Sequence, residues 1–514
     1  MMGPGSTAFS QSPPPAGRGG SGTLPTLGDN LELTAGAERR IGERIAASIY
    51  RDRDYIDDPV LEDYVQTIWQ PLMTAARARG ELSAELDERF AWELFLLRDK
   101  TINAFALPGG YFGLHLGLIG AVNSRDELAA VLGHELSHVT QRHISRLMTQ
   151  QSRQTPWMIA AMILGALAAS KSSQVGDAAL MGTQALAAQS QLNFSRDMER
   201  EADRVGFGVM TDAGFDSRGV SSMFAKLQQA SRINDNGSFP YLRSHPLTTE
   251  RIAEAQARMQ LAPASNPGEA KAAVAAQERF LYAVMAARAR VLGDPGVDAL
   301  RAMVAEAQRQ AVSTQAPPQP STADIRSAGV LYAGSLAASK LRDFSLARTF
   351  ADRLATLATG STASVTVGLL LLELDQAAGV VSPSASTIDI ARTSARAALL
   401  VQSRSLLAAG RAKEVGDKLS TWVTAHPRDA LAWQILAVAY GNQGLNVRAI
   451  RADAESRVAQ LDYTAALDRL KAAQLIMRNN PSSADFMDGS IIDTRARQIE
   501  SLVKEQALQD KLDR

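Results

Sequence analysis

The spacing of apolar residues divides this 514-residue chain into stretches of different character. From near Leu31 through Val65 and Leu72, apolar side chains recur at helical intervals. Over Phe90–Arg98 the rhythm shortens to that of a strand, in the run Phe90-Ala91-Trp92-Glu93-Leu94-Phe95-Leu96-Leu97. A second strand is predicted over Ile102–Leu107. It stops at Pro108-Gly109-Gly110, a strong turn signal, and Tyr111–His115 reads as the returning strand of a hairpin. The next helix announces its start. Ser124 can serve as N-cap with Glu127 at the third position, a capping box, and Leu128, Val131 and Leu132 follow at helical spacing. Helical patterning returns over about 177–210 and again beyond 270. The longest apolar run, Trp157–Ala169, is only about 13 residues and too short to span a bilayer, so no membrane span is expected. It predicts a buried helix, a lid or an interfacial segment.

The alanine-rich region beyond 270 carries a weak internal period. Trp433, Leu436, Ala437, Tyr440, Gly444 and Ala449 fit the large, small and glycine positions of a tetratricopeptide (TPR) unit. Gly410 stands one period before Gly444, and Pro427 falls where such a repeat ends. Asp343-Phe344-Ser345-Leu346-Ala347 and Asp462-Tyr463-Thr464-Ala465-Ala466 both match the start of a second repeat helix, the latter half a period out of step. The expected fold is mainly α with a small β-hairpin or sheet. A metallopeptidase-type domain would occupy 31–260, and a TPR-like solenoid 271–514. Residues 261–270, with Ala262-Pro263-Ala264-Ser265-Asn266-Pro267-Gly268, read as a linker. Residues 1–30, rich in Gly, Pro and Ser, read as disordered, with no apolar core of a signal peptide.

Composition narrows the chemistry. Basic and acidic residues balance at 54 each, so nothing points to nucleic acid or to an electrostatic membrane patch. There is no cysteine, which excludes disulfides and thiolate-held metals. A metal site would have to use His, Glu or Asp. Such a site is visible in His134-Glu135-Leu136-Ser137-His138. Histidines four apart sit roughly 40° apart around a helix and can reach one ion. The glutamate between them can take a proton from a water held there. This is the H-E-x-x-H pattern of zinc peptidases.

A catalytic zinc takes three protein ligands and keeps one position open. The metzincin extension would need glycine at 141 and histidine at 144, but the chain has Gln141 and Ile144. His143 lies nine residues after His134, about 180° around a continuous helix, and is expected to face away as a surface or packing residue. A downstream carboxylate is therefore expected as third ligand. Glu199 and Asp203 share a helix face. Glu199 can bind the metal, and Asp203 can accept the outer N–H of a ligand histidine. Glu201 is the competing ligand, and a solvated charge run over Arg196–Arg204 is the bland alternative. His245 could be a fourth ligand or a second donor to the reaction's oxyanion. Arg251 could be that donor, or merely a salt-bridge partner. His426 is expected to be a capping or surface residue.

The set His134-Glu135-x-x-His138, Glu199-x-x-Ala202-Asp203 and Ser244-His245-Pro246 resembles the HtpX-like and CAAX-prenyl-protease-like zinc metallopeptidases. The segment Asn103–Gly110 matches that family's stretch before the metal helix. With helical repeats behind it, the chain is similar to the BepA type, the beta-barrel assembly-enhancing branch. The resemblance implies one zinc ion held by His134, His138 and Glu199, with Glu135 as catalytic acid/base. It implies an endopeptidase of the periplasm that acts on misfolded or stalled outer-membrane proteins and assists their assembly, with the repeats docking substrate or assembly machinery. A rival expectation is a TPR chaperone or scaffold whose protease site is latent and gated by His245. Substrate is expected to add as a strand beside residues 102–107.

Overall fold

The computed structural model describes residues 33–150, 195–232, 239–261, 269–312, 322–358, 360–381, 396–479 and 486–512. The apolar run 157–169, residues 177–194 of the expected helical stretch, residues 262–268 of the expected linker and the N-terminal 1–30 segment lie outside them; the two ends of that linker are helical instead.

The first helical stretch holds two helices. α1 (Ala35–Tyr50) ends before a two-residue strand β1 (Tyr55–Ile56), and α2 (Pro59–Ala78) follows. Asp58 caps α2 by accepting the Leu61 N–H at 2.9 Å, and Pro59 sits at the first helical position, where no N–H is needed. A short helix α3 (Ala84–Arg89) leads into β2 (Glu93–Leu97), shorter than expected because Trp92 turns the chain with φ 51°. The hairpin forms between β3 (Ala104–Leu107) and β4 (Tyr111–His115), with Ala104 opposite Leu114. The sheet order is β1-β2-β4-β3, with β2 parallel to β4 and the other pairings antiparallel. Among the described residues β3 is thus an edge strand.

Helices α4 (Leu116–Ala121) and α5 (Arg125–Thr140) follow. Ser124 accepts the Glu127 N–H at 3.2 Å, as the capping pattern predicts. Glu127 reaches back to the Asn123 N–H. α5 is buried on nearly all sides after its first turn, so it is a core helix. Against it pack α2, α7 (Arg196–Asp212) and α8 (Arg218–Arg232). Between α5 and α7 comes α6 (His143–Gln150). The short helix α9 (Tyr241–Ser244) and α10 (Thr249–Leu261) complete this half. Trp69, fully buried on α2, meets Phe112 of β4 edge-on at 4.7 Å and ties helix layer to sheet.

The remaining helices are α11 (Glu269–Leu292), α12 (Val297–Val312), α13 (Thr322–Lys340), α14 (Phe344–Ala355), α15 (Ser361–Ala378), α16 (Arg396–Ala408), α17 (Ala412–Ala425), α18 (Ala430–Asn442), α19 (Asn446–Ala459), α20 (Tyr463–Asn479) and α21 (Phe486–Leu512). The starts of α16 and α18, and those of α17 and α19, are 34 residues apart. Gly410 and Gly444 both take left-handed φ (74° and 76°) just past α16 and α18, where a side chain would be strained. α20 begins 33 residues after α18. Its start is therefore in step with those of α16 and α18, rather than with those of α17 and α19 as the sequence pattern predicts.

The two halves share one apolar core running from Ala35 to Ala452. Buried charge also joins them. Arg288 of α11 donates to both oxygens of Asp58 (2.8 and 2.7 Å), both of Glu373 (2.6 Å each) and the Tyr332 hydroxyl at 3.0 Å. Arg396 bridges Asp57, Glu62 and Asp429. Removing one member of a buried ion pair strands its partner. Arg288→Ala should therefore lower unfolding stability by about 3–5 kcal/mol. Urea denaturation would read this as an earlier midpoint; an unchanged midpoint would show that the network adds nothing.

Candidate metal centre and active site

α5 carries His134, Glu135 and His138; α7 carries Glu199 and Asp203. Ser195 caps α7 through the Met198 N–H and so starts the helix one turn before Glu199. The two helices cross where each has a glycine. A Cβ at Gly206 would lie 2.9 Å from the Gly133 carbonyl oxygen and 3.0 Å from the His134 nitrogen. Glycine on both sides lets the backbones meet, and the acidic face of α7 then lies against the histidine face of α5.

Together with His245, placed just after α9, the side chains of His134, His138 and Glu199 offer donor atoms that all lie within 4.8 Å of one another, and all four residues are buried. The Nε2 atoms of His134 and His138 stand 2.9 Å apart. Nε2 of His134 is 3.5 Å from one Glu199 oxygen, and His138 Nε2 is 3.4 Å from the other. His245 Nδ1 lies 2.9 Å from Glu199 and 3.3 Å from His134 Nε2. Behind His134, Asp203 sits 3.0 Å from Nδ1. A neutral His134 that gives this N–H to Asp203 presents a lone pair at Nε2. Ring lone pairs and a carboxylate converging on one point call for a cation. The donor set, imidazoles with one carboxylate and no thiol, suits zinc chemically.

The electrostatics show the same pull towards positive charge, which a proton on His134 meets when no metal does. Burial opposes charge on His134, but Asp203 and Glu199 outweigh it and raise its pKa to about 10. Burial, with His134 and His245 close by, pushes His138 well below the usual range. Burial would raise Glu199, yet the histidines, His245 foremost, hold it far below the usual carboxylate range. Asp203 is likewise lowered against burial, by hydrogen bonds from Arg251 and His134. Glu135 is the opposite case: burial raises its pKa, and neither of its oxygens makes a well-formed hydrogen bond. A buried carboxyl without a firm partner, beside the donor cluster, is poised to carry a proton.

Two expectations need correcting, those for Arg251 and His143. Arg251 is not aimed at an oxyanion. It is 4 % exposed and grips both Asp203 oxygens (2.6 and 2.8 Å), the Pro246 carbonyl (2.8 Å) and Glu199 (2.7 Å). Its fork is filled by the groups that support the site. His143 does not face away either. α5 ends at Thr140, Arg142 takes φ 55°, and His143 opens α6, fully buried, with its Nδ1 2.9 Å from Nδ1 of His138. The expected 180° offset assumed one continuous helix. Glu201, the rival ligand, lies outside the donor cluster and meets His143 Nε2 at 3.1 Å and Arg146 at 2.9 Å.

Tyr241 was missed by sequence reasoning. It is buried and stacks on His245 with ring centres 4.7 Å apart, and burial together with the charge of Glu135 raises its pKa well above the usual value. Its only sequence signal is the neighbouring Phe239-Pro240, which marks a turn rather than a site. His426, as expected, is a helix-ending residue, stacked on Trp422.

Comparison with known proteins agrees with this geometry. Residues 60–259 match peptidase family M48, a span that contains every donor named above. The chain carries a peptidase family M48 domain. Beta-barrel assembly-enhancing proteases of Escherichia coli K12 and Yersinia pestis are each 32 % identical to it. The first match covers 48 % of this chain and 48 % of the relative, the second 54 % and 53 %. A mitochondrial metalloendopeptidase, OMA1 of Arabidopsis thaliana, is 28 % identical over 38 % of this chain and 36 % of its own. The chain spans about half the length of the curated relatives it matches.

The glycine crossing can be tested directly. Gly206→Ala places a methyl group against the α5 backbone and should destabilise the protein by about 1–3 kcal/mol. It should also loosen the donor cluster, so that zinc retained after dialysis, read by elemental analysis, falls below one per chain. Full retention with an unchanged melting temperature would show that the helices need no such contact.

Proposed function

We propose that this chain is a zinc-dependent endopeptidase whose resting state is restrained by His245. The observation that carries this is the buried convergence of His134, His138, Glu199 and His245 beside Glu135, whose oxygens lack firm hydrogen bonds. Catalytic zinc sites keep three protein ligands and one open position. Four converging donors leave none, so His245 must withdraw before water and substrate can enter.

Bound zinc would polarise the scissile carbonyl and lower the pKa of its water. Glu135 would then take the proton of the attacking water and deliver it to the leaving amine, which suits a carboxyl whose pKa burial has raised. Asp203 and Arg251 would hold His134 in its ligand tautomer. Tyr241 would stay with His245 when that segment moves, since the two rings stack. The substrate would add to the free edge of β3, gaining main-chain hydrogen bonds without strict sequence demand. The Tyr241 N–H meets the Ile102 carbonyl at 3.4 Å, so the segment bearing His245 also covers one end of that edge. Freeing the metal and freeing the strand would then be one movement.

Our reading extends to the division of the chain near 261–270 into a peptidase domain and a TPR-like domain whose concave surface docks client or partner protein. Relatives named beta-barrel assembly-enhancing proteases support a tie to β-barrel assembly; on our reading the clients are outer-membrane β-barrel proteins, degraded when misfolded and assisted when assembling, within the cell envelope. Among the described residues no helix is long and apolar enough to cross a membrane.

Casein cleavage tests the reaction. Chelation should abolish it and zinc restore it. Glu135→Gln should reduce it by about 10²–10⁴-fold while zinc content stays at one per chain. Cleavage by Glu135→Gln at the wild-type rate would falsify the assignment. Separately, His245→Ala should raise the rate. A rate that stays level or falls would remove the latency and make His245 a working part of the site.

A further inference from the structure

The two metal-facing histidines of α5 are held from behind in different ways. His134 meets a carboxylate directly: Asp203 lies 3.0 Å from its Nδ1, and Arg251 secures that carboxylate through both oxygens. Behind His138 stands a second imidazole. His143 Nδ1 lies 2.9 Å from His138 Nδ1, His143 Nε2 lies 3.1 Å from Glu201 Oε2, and Arg146 holds the same oxygen at 2.9 Å.

We propose that His143 and Glu201 form a relay that fixes the tautomer of His138, so that His138 turns a lone pair, not an N–H, towards the metal. His143 is a positioning residue here, acting through His138. The proposal rests on the metal-site reading above and adds residues that the donor cluster does not contain.

The order of protons follows from donor and acceptor chemistry. An ionised carboxylate only accepts hydrogen bonds. The nitrogen facing Glu201, His143 Nε2, must therefore carry the hydrogen. A neutral imidazole protonated at Nε2 has its lone pair at Nδ1, so His143 accepts at Nδ1. The group opposite must then donate, which places the hydrogen of His138 on Nδ1 and leaves Nε2 bare. The opposite tautomer of His138 would set two lone pairs against each other at 2.9 Å and point an N–H at His134 Nε2. Arg146 anchors the end of this chain as Arg251 anchors the other.

The fold builds the relay deliberately. His143 reaches His138 only because the chain breaks after Thr140 and turns through the left-handed Arg142. Arg142 is itself tied to Glu38, the Leu33 carbonyl and Ser145. Glu201 projects from the face of α7 away from Glu199, so one helix serves both histidines: Asp203 for His134 and Glu201 for His143.

The test is zinc affinity of the full chain, measured by competition with a chromophoric chelator. Loss of an outer-shell partner typically weakens metal binding about 10–100-fold, and His143→Ala should fall in that range. A glutamine can accept through its carbonyl and donate through its amide, so His143→Gln should recover affinity to within about threefold of wild type. Glu201→Ala, at a partly exposed position, should weaken binding without loss of fold. Nitrogen-detected NMR of zinc-loaded, histidine-labelled protein should show His143 as the neutral Nε2–H tautomer. Wild-type affinity in His143→Ala, equal loss in His143→Gln and His143→Ala, or an Nδ1–H on His143 would each overturn the relay. If His143→Ala does not fold, Glu201→Ala and the NMR tautomer decide. A wild-type chain that binds no zinc overturns the metal site first, and the relay with it.

Discussion

Gly133 and Gly206 face each other where α5 crosses α7, and everything at the site depends on how closely those two backbones approach. Helix axes ordinarily stand about 8–10 Å apart, at a distance set by the side chains between them. With no side chain on either side, the crossing tightens. Two pairs at i, i+4 spacing, His134/His138 and Glu199/Asp203, then come face to face. Residues four apart lie on one helix face, so a single close crossing brings four groups together without any loop having to be held in place.

Such a crossing concentrates charge in a buried place, and buried charge is costly unless paired. Arg251 meets this need by contacting Asp203 and Glu199 together. Arg288 and Arg396 do the same between the two halves, each gathering more than one carboxylate. Arginine suits these positions because its charge is permanent and its donors are arranged as a rigid fork. The site and the junction between halves are therefore built on one device. Glu135 stands outside it, and that is the property an acid/base needs. No arginine grips it; its nearest charged neighbour is His245, whose Nε2 stands 3.5 Å from one of its oxygens.

One short segment reaches both the edge of the sheet and the donor cluster. α9 begins at the Tyr241 N–H contact with Ile102 and is followed at once by His245, against Glu199. A segment this short has little stability of its own and is held by its two ends and by Tyr241 packing. Opening such an element requires few contacts to break, as the proposed withdrawal of His245 would need.

Local signals determined much of this protein by themselves. The Ser124 cap, the Pro108-Gly109-Gly110 turn, the spacing of His134, Glu135 and His138, the shared face of Glu199 and Asp203, and the glycines at 410 and 444 are all short-range patterns, and each appears where its pattern predicts. They are legible because helix and turn geometry repeats over a few residues. The order of strands, with β2 parallel to β4 and β1 at the far edge, depends on pairings between distant residues and leaves no local mark. The break at Arg142 has no glycine or proline to announce it, so His143 reads as facing away until the chain is seen to turn. Arg251 looks like a free donor until Asp203, Glu199 and Pro246 are found to occupy it. What a side chain is from its neighbours in sequence was decided by spacing. What it is free to do was decided by which distant groups the fold had already placed against it.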